Sequence, residues 1–264
     1  LLGVRGDLKR KSNMGRETFV VPVSWERDMH PRKGKILWPV VAPKTGRVER
    51  VNPVIFDGGT PAKNRAFRDD FKHSTLNLAW NFVRVPLPNT YSLDENPGHL
   101  RLFTHKNTIS RRKRAHFMGI KQTESDFVFT TKMRFNPSHD ESTAGIAIVQ
   151  KDENYVSFSV RKEADGMLVE VLHNKKKVQT IKAHKLNSYK GEIRFKLVSA
   201  NDTYTFSYAT KGKRYKVLTT TPADLVLFSG FTGAHIGLYA TSNGQDNNDF
   251  SDYDWINYIP KPRK

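Results

Sequence analysis

The sequence predicts an all-β protein built as a two-sheet sandwich or jelly roll, and three observations carry that prediction. Short segments of alternating apolar and polar residues recur along most of the chain, as strands with one buried face require. The clearest are AGIAIVQKDENYVSF at 144–158 and FSGFTGAHIGLY at 228–239. Turn signals separate these segments almost everywhere: ADG at 164–166, HNK at 173–175, SAND at 199–202 and KGK at 211–213. Helical periodicity is missing apart from a single turn expected around 222–225, and many short strands punctuated in this way are the signature of sandwiches and jelly rolls.

Taken in order, residues 1–50 hold three strand-like pieces, LLGVR, ETFVVPVSWE and ILWPVVAP, interrupted by Pro22 and Pro39. A proline inside a strand points to an edge or a bulge. Three strands cannot bury both their faces, so they are expected to complete a sheet or to pack on a neighbouring domain. The stretch VNPVIFDGGTPAKNR has little periodicity and reads as a linker over 51–66. The main body then runs over 67–260. Its strands are expected at 79–85, 99–103, 127–135, 144–150, 155–160, 167–173, 177–183, 192–199, 203–209, 215–218, 234–239 and 250–259. Residues 261–264 form a basic tail.

The chain of 264 residues contains 44 Lys and Arg against 26 Asp and Glu, a net charge of +18, and no Cys. The lack of Cys excludes disulfides, thiolate nucleophiles and Cys-type zinc sites, and leaves the compartment open. No apolar run approaches the ~18 residues of a membrane helix, so a soluble protein is expected. The opening LLGVRGDLKRK does not have the order of a signal peptide and reads as an interior strand, so secretion would depend on a leader elsewhere in a longer protein. The positive charge attracts polyanions. Its clusters, LKRK at 8–11, RRKR at 111–114 and KKK at 175–177, are dispersed among strand-like segments and read as solvated turns rather than as a nucleic-acid site.

Motifs for nucleophilic or metal chemistry do not occur: the nine His form no HExxH, and GxSxG, P-loop and GxGxxG patterns are missing. Two acidic pairs stand out, Asp69 with Asp70 and Asp252 with Asp254, where the first and last strands of the main body would meet. Glycosidic acid/base work by such a pair is conceivable in principle. Adjacent carboxylates at meeting termini suit a hard cation better, so Asp69 and Asp254 are the candidates for a structural calcium, beside the plainer reading of a solvated acidic edge. No other cofactor is required. Most strand aromatics, Trp80, Phe82, Tyr155, Phe158 and Tyr208 among them, belong to a sandwich core, and a minority could line a sugar-binding groove.

One family resemblance covers nearly the whole chain. MGRETFVVPVSWE at 14–26, followed by Trp38-Pro39, resembles the closing blade of the five-bladed propeller of glycoside hydrolase family 43, the β-xylosidase and α-arabinofuranosidase group. FRDDF at 67–71, LAWNFVRVP at 78–86, YSLDENPGHLRL at 91–102, the 144–158 stretch, FTGAHIGLYATSNG at 231–244 and DFSDYDW at 249–255 resemble the concanavalin A-like sandwich appended to those enzymes. The resemblance implies a few strands of an incomplete propeller over 1–50, ahead of the sandwich. It implies an inverting glycosidase whose Asp base, Glu acid and second Asp lie on earlier blades, so that no catalytic residue is carried here. Arg16 would line the sugar subsite and Phe231 would reach over it, while Glu17 would take part in a structural salt bridge. The family's Arg-Gln pair reads IKQ here, at 120–122, and no role is carried over for that arginine. The implied function is the C-terminal part of a hydrolase of xylan-derived or arabinose-substituted oligosaccharides, with the missing propeller as partner. Two other readings stand beside it: a free-standing xylan-binding module, and a basic nucleic-acid-binding β protein.

Overall fold

The computed structural model describes residues 2–4, 11–30, 32–49, 66–109, 112–152, 154–175, 177–227 and 231–261. The linker reading at 51–66, the basic tail and the LKRK cluster lie outside the described residues, save Ala66, Lys261 and Lys11.

Four N-terminal strands form two separate ribbons. Strands β1 (Leu2–Val4) and β2 (Arg16–Thr18) pair antiparallel, as do β3 (Val23–His30) and β4 (Gly34–Val41). The expected single strand ETFVVPVSWE is split, because Pro22 has no N–H for a ladder and ends the first piece before β3 begins.

The remaining strands are β5 (Phe67–Asp69), β6 (Asn81–Phe82), β7 (Tyr91–Ser92), β8 (Leu100–Phe103), β9 (His116–Lys121), β10 (Asp126–Phe135), β11 (Thr143–Lys151), β12 (Asn154–Glu163), β13 (Gly166–Lys175), β14 (Lys177–Lys185), β15 (Glu192–Ala200), β16 (Thr203–Ala209), β17 (Lys216–Pro222), β18 (His235–Thr241) and β19 (Phe250–Lys261). They make two sheets. One runs β17-β16-β15-β10-β19-β8-β7 with β5 also on β19, and the other β14-β13-β12-β11-β18-β9-β6. Both are antiparallel throughout, and the crossovers between non-consecutive neighbours give the jelly-roll winding. The single expected turn is a 3-10 helix at Ala223–Val226.

Period-2 alternation places one face of each sheet in a shared core. Phe127, Phe129 and Met133 of β10, Phe195 and Leu197 of β15 and Tyr253 of β19 face Ile146 and Ile148 of β11, Phe158 of β12 and Ile236 and Leu238 of β18. Phe158 is the centre of the seam: its ring meets Phe195 edge-on at 4.7 Å and Phe206 at 5.5 Å across the sheets. Burying a side chain of this size contributes roughly 2–3 kcal/mol. Deep polar atoms in this core are bonded where strands permit, as where the Tyr253 hydroxyl donates to the Gly145 carbonyl at 2.7 Å.

The seven-stranded sheet carries a second, smaller apolar cluster on its outer face, made by Ile109, Phe117, Val149, Tyr155 and Tyr239. Strand β9 is therefore apolar on both sides, Phe117 outward and Met118 inward, and its run HFMGIK shows no alternation for the sequence to display. The expected strand at 79–85 forms ladder pairs only at β6.

Candidate functional site

The described N-terminal segment meets the sandwich where residues 12–16 lie against 231–234. Gly15, at φ +69°, lies so close to this loop that a Cβ there would stand 2.4 Å from Gly233 N and 2.7 Å from Thr232 C. Only a glycine allows that backbone-on-backbone approach. Hydrogen bonds fix it on both sides: Arg16 N donates to Phe231 O at 3.1 Å and Ala234 N to Asn13 O at 2.7 Å. Gln150 of β11 donates from Nε2 to Ser12 O at 2.8 Å and to Thr232 O at 2.9 Å, tying strand, segment and loop together. The Ser125 hydroxyl adds a bond to Asn13 Oδ1 at 3.2 Å.

The dock brings the two sequence-predicted site residues together. The Arg16 guanidinium lies 4.8 Å from the centroid of the Phe231 ring, a cation–π contact, and Phe231 is 69% exposed. An exposed aromatic face with a guanidinium fork beside it can stack on the C–H face of a sugar ring and hydrogen-bond its hydroxyls. Next to the pair opens a cavity of about 380 Å³ on the outer face of the seven-stranded sheet, lined among others by Phe82, Arg84, Gln150, Asp152, Thr232 and His235. Arg84 pairs with Asp152 and donates to Lys113 O at 3.1 Å, closing one wall. Burial, helped by the charge of Lys121, pulls His235 below the ordinary imidazole pKa. Gln150, Arg84 and Asp152 were not legible as site residues, since their only sequence signal is position near a strand end.

The acidic residues are placed elsewhere. Asp69 Oδ2 accepts from Trp80 Nε1 at 2.8 Å and Oδ1 from Phe71 N at 3.0 Å. Asp254 is the extra residue of a bulge in β19, between the pairs Lys132↔Trp255 and Met133↔Tyr253. Its Oδ2 lies 2.6 Å from Lys132 Nζ, and His99 Nε2 is 3.0 Å from Oδ1. Burial works against the Lys132 charge, but the bonds to Asp254 and Glu192 outweigh it and its pKa is raised. Asp252 receives Arg101 bidentately, at 2.8 and 3.0 Å, and Asn96 at 2.8 Å. Asp70 pairs with Lys72 at 3.3 Å. Both Asp69 oxygens and Asp254 Oδ2 meet protein donors, whereas Asp254 Oδ1, though near His99, is buried without a hydrogen bond, and no group of three or more His, Asp or Glu among the described residues is arranged to hold a metal.

The β3–β4 ribbon adds a surface of another kind. Directly opposite residues of an antiparallel pair share a face, so the register Val23↔Val41, Trp25↔Pro39 and Arg27↔Leu37 puts Val23, Trp25, Leu37, Val41 and, farther along, Met29 on one side. All are exposed, Trp25 by 65%, Met29 by 66% and Leu37 by 58%. Arg27 and Lys35 share this face, so the ribbon presents exposed apolar side chains interleaved with two cations.

Comparison with known proteins bears on the family and the fold. The family model described as the beta xylosidase C-terminal concanavalin A-like domain matches residues 68–259. The chain is 29% identical over 261 residues to a non-reducing end alpha-L-arabinofuranosidase of Bacteroides ovatus, covering 97% of this chain and 47% of that protein. It is also 29% identical to a xylosidase/arabinosidase of Butyrivibrio fibrisolvens, covering 94% of this chain and 47% of that one. Among solved structures, Bacteroides ovatus xyloglucan PUL GH43B superposes with a TM-score of 0.84 at 29% identity, over 98% of this chain and 50% of that chain. A xylan beta-1,4-xylosidase from Bacillus halodurans gives 0.82 at 21% identity, also over 98% and 50%, a likeness of fold. The chain spans about half the length of these relatives. Among the described residues, no helix is long and apolar enough to cross a membrane.

Proposed function

The chain belongs to the family of beta-xylosidase C-terminal concanavalin A-like domains, and from that premise we propose that it is the supporting half of a glycoside hydrolase acting on xylan-derived or arabinose-substituted oligosaccharides. The observation that carries this reading is the Arg16–Phe231 contact, a 4.8 Å cation–π pair held at the rim of the sandwich by a dock of backbone hydrogen bonds. In this reading β1–β4 belong to a propeller, residues 1–50 being the remnant of its last blade. The exposed apolar face of β3–β4 is where neighbouring blades pack, and those blades bring the acid and base. The relatives of twice the length, an arabinofuranosidase and a xylosidase/arabinosidase, support a partner domain in the other half.

The sandwich has two tasks here. It anchors the strand that carries Arg16, through Gln150 and the 231–234 loop, and it presents Phe231 over the sugar. Neither residue moves a proton, so their contribution is positioning and ring contact, which improves the fit of bound sugar and transition state. No carboxylate of the chain is assigned to catalysis, and the chain alone is expected to be inactive. The test is Arg16→Ala and Phe231→Ala in the complete enzyme, read as hydrolysis of aryl β-xyloside and aryl α-arabinofuranoside. Each is expected to lower kcat/KM by about 10- to 100-fold, the loss of one or two good contacts at about 1.4 kcal/mol per tenfold. Wild-type kcat/KM in both variants would refute the reading.

A further inference from the structure

We propose that the chain carries a second saccharide site, specific for a sugar bearing a carboxylate, in the cleft between the outermost strands of the two sheets. It extends the reading above, taking from it only that the ligand is a glycan. Strands β14 and β17 are the edges of their sheets and lie side by side at this end of the sandwich. Between them and the 186–189 and 210–216 segments opens a cavity of about 330 Å³, near the lower end of the range for small-ligand pockets.

The lining is one-signed. Lys185, Lys211, Arg214 and Lys216 line the cavity and no carboxylate does. Lys185 is paired outside it with Asp165. Lys211, Arg214 and Lys216 have no carboxylate partner among the described residues, and no acidic side chain lines the cavity to neutralise them. Three unneutralised cations around a concave wall concentrate the field on whatever enters. Arg214 adds a planar fork that matches a carboxylate with two parallel hydrogen bonds.

The rest of the wall suits a sugar ring rather than a bare anion. Tyr208, buried in the core, reaches the wall beside the exposed His184, their ring centroids 6.5 Å apart. Asn187 and Thr210 also line the cavity and offer neutral donors and acceptors that sugar hydroxyls can use. A nucleic acid would need several aromatic platforms along an extended basic track, whereas this is a single pocket.

The site is tested on this chain by affinity electrophoresis through glucuronoxylan, through the same polymer after carboxyl reduction, and with a single-stranded RNA homopolymer as competitor. Two triple variants are compared: Lys211→Gln/Arg214→Gln/Lys216→Gln in the cavity, and Lys175→Gln/Lys177→Gln/Lys182→Gln at exposed positions outside it. Both remove the same net charge, and all six side chains are exposed, so both are expected to fold. Retardation by glucuronoxylan at least about tenfold weaker in the cavity variant, little changed in the other and lost on carboxyl reduction is the expected result. Equal weakening in both variants, unchanged binding to the reduced polymer, or displacement by RNA at lower concentration than free glucuronoxylan would overturn the proposal. Hydrolysis of an uncharged aryl glycoside by the complete enzyme is the separate measure of the function proposed above. Its absence alongside retained, cavity-dependent binding would condemn that function and leave this site standing.

Discussion

Replacing Gly15 with alanine is predicted to undock the N-terminal segment while leaving the sandwich folded. Gly15 sits at φ +69°, which costs an L-residue roughly 1–2 kcal/mol. The added methyl would stand 2.4 Å from Gly233 N, 2.7 Å from Thr232 C and 2.8 Å from Phe231 O. All three are backbone atoms, so no rotamer change relieves the overlap, and the segment must shift. A shift breaks the bonds from Arg16 N to Phe231 O (3.1 Å), from Ala234 N to Asn13 O (2.7 Å) and from Gln150 Nε2 to Ser12 O (2.8 Å), each worth about 1 kcal/mol net. Docking is therefore weakened by roughly 3–5 kcal/mol. Gly46→Ala is the matched control: Gly46 has φ +68° but nothing within 4 Å of its Cβ position, so it carries the conformational cost alone. Hydrogen exchange of the Arg16 and Ala234 amides is the readout, with thermal unfolding of the sandwich beside it. Gly15→Ala should speed exchange at both amides by 100-fold or more and leave the main transition in place. Exchange as slow as in Gly46→Ala would refute the reasoning.

Three further outcomes follow from the packing. Tyr253→Phe removes the donor to the buried Gly145 carbonyl at 2.7 Å and should destabilise the sandwich by about 1–3 kcal/mol in urea titration, with the slope unchanged. His116 is buried, donates from Nδ1 to Phe103 O at 2.8 Å and has its pKa lowered to about 4, chiefly by burial. Between pH 6.5 and 4 the unfolded chain then holds the extra proton, so stability complete above pH 6.5 falls by up to about 3 kcal/mol as pH drops to 4. His116→Asn should flatten that slope, and an identical pH profile would show that another group is responsible. Trp25→Ser with Leu37→Ser, both on the exposed face of β3–β4, should reduce binding of a hydrophobic dye by the isolated chain and leave the melting of the sandwich within about 0.5 kcal/mol.

The sandwich was legible because its central strands alternate cleanly. Strand β10 reads DFVFTTKMRF and β15 EIRFKLVSA, each with one face wholly in the core. Strand β9 escaped because both of its faces are buried and a basic run precedes it, so no alternation remains. The partners of the acidic residues were not legible for a local reason: the bulge at Asp254 hands that carboxylate to Lys132, and Arg101 claims Asp252. A single inserted residue of this kind leaves no mark on a period-2 pattern. Arg16 and Phe231 were found through resemblance, since they lie on segments far apart in the chain. Their meeting depends on Gly15 and Gly233, whose requirement for close backbone approach only the folded chain reveals. The charge surplus was visible from the start, but its placement was not: Lys211, Arg214 and Lys216 line one cleft beside β14 and β17.

In the proposed function this chain completes an active site whose acid and base lie in a partner domain. Co-expression of the chain with the propeller half of a relative such as the Bacteroides ovatus arabinofuranosidase, followed by assay on 4-nitrophenyl glycosides, tests it most directly. The expected result is no release of 4-nitrophenol by the chain alone, release by the co-purified pair, and loss of pairing with Trp25→Ser/Leu37→Ser. Turnover by the chain alone, sensitive to Arg16→Ala, would contradict it.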